Sequence, residues 1–162
     1  MNRRTWAPRG QTPIQRAWER HDRLSVIGAL SCSPRRRSIG LSFQIYDQNV
    51  RAEQMVQFLH EMRRQLRRRL IVVWDRLRVH QSAAKRLQRE TSGEFLFEWL
   101  PAYAPEINPV EAMWSYSKHC ALANFVPDDV HELEDAVVET ICDQATDSDL
   151  KRSYFVNAEL KL

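Results

Sequence analysis

Apolar residues in this chain follow two patterns, short dense runs and longer stretches with a helical period. Arg23–Leu30 (RLSVIGAL) and Ile39–Tyr46 (IGLSFQIY) are strand-length runs either side of the turn cluster SCSPRRRS. They predict two strands joined by a tight connection. From Arg51 to Arg69 the period changes. Ala52, Met55, Val56, Leu59, Met62 and Leu66 recur at steps of three and four, which predicts an amphipathic helix. Its last turns hold Arg63, Arg64, Arg67, Arg68 and Arg69, where the helix dipole favours cations. Leu70–Trp74 (LIVVW) is a continuous apolar run, as expected of a strand buried on both faces of a mostly parallel sheet.

A polar helix is predicted from about Ser82 to Glu90, then a buried strand over Phe95–Leu100 (FLFEWL). PAYAPEINP has three prolines in nine residues and must be a loop. Asn108 can cap a helix that opens at Pro109 and runs to about Ala121. A further helix follows Pro127, with Asp128 as its cap and Val130, Leu133, Val137 and Ile141 as its apolar stripe. The expected architecture is therefore α/β, a mixed sheet with helices on both faces, and a single domain over residues 1–162.

Composition narrows the partners. Hydrophobic residues make up 43% and charged residues 28% of 162, a globular balance. No apolar run reaches the roughly 18 residues that span a bilayer, and MNRRTWAPRGQTP has no apolar stretch behind its positive charge. A membrane partner and a secretory signal are excluded on these grounds. Cys32, Cys120 and Cys142 form no CxxC pair, so a reducing cytoplasm is the expected compartment. The net charge of +3 conceals an asymmetry. Residues 1–90 carry 20 Lys+Arg against 7 Asp+Glu (+13), and residues 91–162 carry 4 against 14 (−10). That basic half reads as a polyanion-binding surface or as a solvated face beside an acidic helical tail.

Two carboxylates have the positions that chemistry would need. Asp75 closes an apolar strand, at the sheet edge where α/β folds gather ligands; it reads equally as a turn residue. Glu111 falls in the first turn of a helix, where a carboxylate also complements the dipole.

The run LPAYAPEINPVEAMW resembles the LPxYSPxLNPIExxW segment of DDE transposases in the mariner-type superfamily, bacterial insertion-sequence branch. Leu100, Pro101, Tyr103, Pro105, Asn108, Pro109, Glu111 and Trp114 match it. VVWDRLRVHQS resembles the strand with the family's second carboxylate, where Asp is followed five residues later by His, here Asp75 and His80. RRTWAPRGQTP with RLSVIGAL is similar to its early hairpin and second strand. The resemblance implies a ribonuclease-H-like fold and metal-dependent DNA strand cleavage and transfer. It implies a site in which three carboxylates hold two Mg2+ (or Mn2+) ions about 4 Å apart. Asp75 and Glu111 would be two of the three ligands.

The implied partners are DNA (transposon ends and target) and a second copy or a full-length transposase. Arg35, Arg36 and Arg37 on a loop, Arg63, Arg64, Arg67 and Arg68 at a helix end, and His80 are the candidate DNA contacts. Trp74 and Trp99 read as core, and Trp114 as either core or contact.

In the family the first Asp lies a few residues before the TWAPRG-like hairpin. Here only Asn2, Arg3 and Arg4 stand between Met1 and Thr5. The expectation is a truncated domain without its first strand, its first Asp or the family's N-terminal helix-turn-helix domain, and inactive alone. Asp22 and Asp47 are the nearest acidic alternatives. The competing reading is a non-catalytic fragment that binds DNA or a transposase.

Overall fold

The computed structural model describes residues 8–9 and 24–160. The TWAPRG-like hairpin (apart from Pro8 and Arg9) and Asp22 lie outside the described residues. Strands β1 (Ser25–Cys32) and β2 (Ile39–Tyr46) pair antiparallel, with Ser25 opposite Tyr46 and Cys32 opposite Ile39. Helix α1 (Ala52–Leu66) leads to β3 (Leu70–Trp74), helix α2 (Arg78–Glu90) and β4 (Phe95–Trp99). β3 and β4 pair parallel, Leu70 opposite Phe95 and Trp74 opposite Trp99. Helices α3 (Pro109–Tyr116), α4 (Val130–Thr146) and α5 (Ser148–Asn157) complete the chain, with one π-helical turn over Ser117–Ala121.

Strand parity decides what each face meets. Ile27 of β1 joins Val56, Phe58, Leu59 and Met62 of α1 in one core. Trp74, Phe95 and Phe97 of the second ladder, with Ala83, Ala84 and Leu87 of α2, belong to the same core. The next residue of β1, Gly28, faces the other way, onto Met113 and Trp114 of α3. The first ladder thus has helices on both faces.

Two features differ from a single mixed sheet with both faces covered. Among the described residues the strands form two separate two-stranded ladders, β1–β2 and β3–β4. The outer face of the second ladder is also bare: Ile71, Val73 and Leu96 are more than half exposed. LIVVW is apolar throughout, yet only Leu70, Val72 and Trp74 turn inward, so the period of two is hidden by uniform hydrophobicity.

A smaller core lies among the last helices. Met113, Ile141 and Tyr154 are almost wholly buried there, together with Gln144. Gln144 Nε2 donates to Ser117 Oγ at 2.8 Å and to the Thr140 carbonyl at 3.1 Å, while the Tyr154 hydroxyl donates to Gln144 Oε1 at 2.6 Å. Every polar atom of the buried amide is thereby satisfied. Burial, seconded by the negative groups of Tyr116, Asp147 and Cys120, pushes the Tyr154 phenol well above its ordinary range. Because the folded value is the higher one, the bond's contribution is intact below about pH 10 and declines as pH climbs past the raised value. Tyr154→Phe leaves Gln144 Oε1 unpaired and should cost about 1–2 kcal/mol. A lower urea midpoint with an unchanged m-value would show it; an unchanged midpoint would refute it.

Candidate functional site

The parallel pairing runs one residue beyond the end of β4, with Leu100 N–H donating to the carbonyl of Trp74, the last residue of β3, at 2.9 Å. The chain then turns at Asp75. Its Oδ1 accepts the Leu77 N–H at 3.1 Å and sits 2.6 Å from His80 Nδ1. His80 is in the first turn of α2, which begins at Arg78, four residues before the Ser82 start that the sequence pattern predicts. The imidazole lies 4.6 Å from the Trp74 ring, centroid to centroid, and its side chain is only 15% exposed. Packing against Trp74 and the Asp75 carboxylate therefore hold the His80 ring in place. Asp75 is 42% exposed, and no hydrogen bond among the described residues engages its Oδ2.

Glu111 is placed by the proline-rich loop. Tyr103 sits at φ 60° with its side chain fully exposed, and Pro105–Ile107 form a single 3-10 turn. Asn108 caps α3, its Oδ1 accepting the Val110 N–H at 3.2 Å, and Pro109 opens the helix. Glu111 is exposed in that first turn and makes no ion pair among the described residues. Gly28 lets α3 lie close against β1, and Trp114 packs on that glycine as a structural residue. Among the described residues neither Asp75 nor Glu111 pairs with a Lys or Arg, which leaves both with oxygens for a cation. Among the described residues no group of three or more His, Cys, Asp or Glu could hold a metal ion. Asp47, in the bend after β2, joins no such group.

The arginines differ in how the fold places them. Arg63 pairs with Glu94 at 2.6 Å, tying the end of α1 to the start of β4, and Arg64 pairs with Glu61 one turn back. Arg64 and Gln65 hold the Glu61 carboxyl below its ordinary range. Arg67 ends α1 in the left-handed conformation, and Arg68 is exposed. Arg35, Arg36 and Arg37 ride the exposed β1–β2 turn. That turn is built by Ser33, whose Oγ accepts the Arg37 and Ser38 N–H groups at 3.1 Å each. The Glu61–Arg64 pair is readable from its three-residue spacing; the Arg63–Glu94 pair needs the fold. The Asp75–His80 contact spans five residues across a turn, so no helical period announces it.

No helix among the described residues is long and apolar enough to cross a membrane. Comparison with solved structures finds a chain described as "Crystal structure of the Mos1 Strand Transfer Complex". The identity is 19% and the TM-score 0.58, covering 98% of this chain and 46% of that one. This chain therefore spans less than half the length of that relative, and the likeness establishes its ribonuclease-H-like fold. No curated protein matches the sequence. The family described as DDE superfamily endonuclease matches residues 1–134. With most of its length matched, the chain belongs to the DDE superfamily of endonucleases.

Proposed function

We propose that this chain is the catalytic portion of a DNA transposase, with Asp75 and Glu111 as ligands of a divalent cation. The observation that carries the reading is a pair of carboxylates, each placed by backbone devices and without a Lys or Arg partner among the described residues, in a member of an endonuclease family. Endonucleases of this family use divalent metal ions. Mg2+ (or Mn2+) suits an all-oxygen donor set, and when bound it makes water or a hydroxyl nucleophilic and draws charge from phosphate oxygens.

The chain's own residues do the rest. His80 and the Leu77 N–H hold Asp75 Oδ1, which leaves Oδ2 for the cation. The start of α3 brings Glu111 together with the positive end of a helix dipole, suited to a phosphodiester. Arg35–Arg37 meet backbone phosphates, positioning DNA without reading its sequence.

Among the described residues these two carboxylates lack a third partner. Our reading is that the chain alone binds the ion weakly and does not cleave, the third ligand coming from another copy or a full-length transposase. The lack of a third ligand among the described residues also favours a second reading, a non-catalytic DNA-binding piece. Mn2+ titration, duplex anisotropy and plasmid nicking separate the two. Bound Mn2+ and salt-sensitive duplex binding without nicking are expected. Duplex binding without any Mn2+ uptake would leave the second reading alone, and neither would sink both.

Two further outcomes follow. His80→Ala should weaken Mn2+ binding about tenfold, because Asp75 loses the group that orients it; equal Mn2+ titrations would place His80 outside the site. Arg35→Ala with Arg37→Ala should flatten the slope of log affinity against log salt by about 2. An unchanged slope would remove that turn from the DNA surface.

A further inference from the structure

A groove of about 360 Å³ lies beside Asp75, lined by Arg76, Gln81, Ala84, Lys85, Gln88 and Trp99. Its position follows from the fold. Arg76 directly follows Asp75, Trp99 ends β4, and Gln81, Lys85 and Gln88 share one face of α2 at steps of four and three. The buried methyl of Ala84, 2% exposed, leaves room at the floor. Gln81 Nε2 donates to the Arg76 carbonyl at 2.7 Å, which pins the turn against the helix.

The charges in this groove are uncommitted. Arg63, Arg64 and Arg86 all meet glutamates, whereas neither Arg76 nor Lys85 pairs with a carboxylate among the described residues. The aromatic wall is partly open as well. Trp74 is buried, with its ring 6.3 Å from that of Trp99 and nearly parallel, while Trp99 remains half-buried and borders the groove. Sequence pattern placed both indoles in the core; the second has a free side.

Two unpaired cations, two amides and an indole suit a phosphate joined to a planar ring. In a duplex the base faces are stacked on one another, so only an unpaired base can offer its face to Trp99. We infer that this groove seats an unpaired nucleotide of single-stranded DNA next to Asp75, its phosphate between Arg76 and Lys85 and its base on Trp99. This rests on the reading of the chain as a DNA-strand-processing domain, and it adds the state of the strand that is handled.

The test is fluorescence anisotropy with a labelled oligothymidylate of about ten nucleotides, in EDTA, against a hairpin duplex and an abasic strand of equal charge. The thymidine strand should bind about tenfold tighter than the abasic one. Arg76→Ala and Lys85→Ala should each weaken it several-fold and flatten its salt slope by about 0.7. Trp99→Leu should remove the preference for bases and leave the salt slope alone. Equal binding of the abasic and thymidine strands overturns the stacking assignment even if Trp99→Leu fails to fold. Unchanged binding by both cation variants overturns the groove itself. Because no metal is present, lost Mn2+ uptake with intact strand binding counts against the carboxylate reading alone.

Discussion

A chain carrying Asp75→Asn should take up Mn2+ roughly tenfold or more weakly than the wild type while melting within a few degrees of it. Asparagine is the same size, and its carbonyl can take over the bond that Oδ1 accepts from the Leu77 N–H at 3.1 Å. What changes is the other atom. An amide nitrogen replaces Oδ2, and its N–H groups are donors with no lone pair for a hard cation, while the negative charge is lost as well. Asp75 is 42% exposed, so the loss of its charge costs the fold little. Paramagnetic titration of Mn2+ beside a thermal melt reads both quantities. Wild-type uptake by the variant would remove Asp75 from the ligand set, and with it the catalytic reading.

Gly28→Val should have the largest effect on the fold, about 3 kcal/mol, or a fall in Tm of roughly 6–12 °C. A β-carbon at this position would stand 2.8 Å from Met113 Cε and 2.8 Å from Trp114 Cζ2. The methionine tail can swing away; the indole is a rigid plate and forces the helix to move. Since Glu111 stands two residues before Met113 on that helix, Mn2+ uptake should drop together with stability. Gly40→Ala supplies the contrast, because its β-carbon meets the Ser31 hydroxyl at 2.6 Å, a group that can rotate aside. Equal melting temperatures for the two variants would refute the close approach of α3 to β1.

Much of this arrangement could be read from local pattern. IGLSFQIY forms a strand over its whole predicted span, and the three-and-four spacing of Val56, Leu59 and Met62 does face the core. Asn108 caps α3 because its side chain reaches two residues on, which is a local property. The cap of α4 slips by one, to Asp129 accepting the Glu132 N–H at 2.8 Å, since Asp128 and Asp129 are chemically alike. Helix α5 escapes notice: its stripe is interrupted by the buried Lys151, whose ammonium bonds the Ala145 carbonyl at the end of α4. Nothing local separates the two ladders either, since backbone pairing depends on the spatial neighbour. For the candidate site, the turn position of Asp75 and the first-turn position of Glu111 were legible, whereas the grip of His80 on Asp75 and the free side of Trp99 required the packed structure.

The ladders themselves bear on how the protein responds to cold. Each is stitched internally by peptide hydrogen bonds, but among the described residues the join between them is side chain on side chain, Ile27 and α1 against Trp74 and Phe97. Hydrophobic adhesion weakens on cooling, whereas backbone pairing has no such loss. Among the described residues, chilling therefore loosens this seam before it loosens either ladder, between the half that carries Gly28 and Glu111 and the half that carries Asp75.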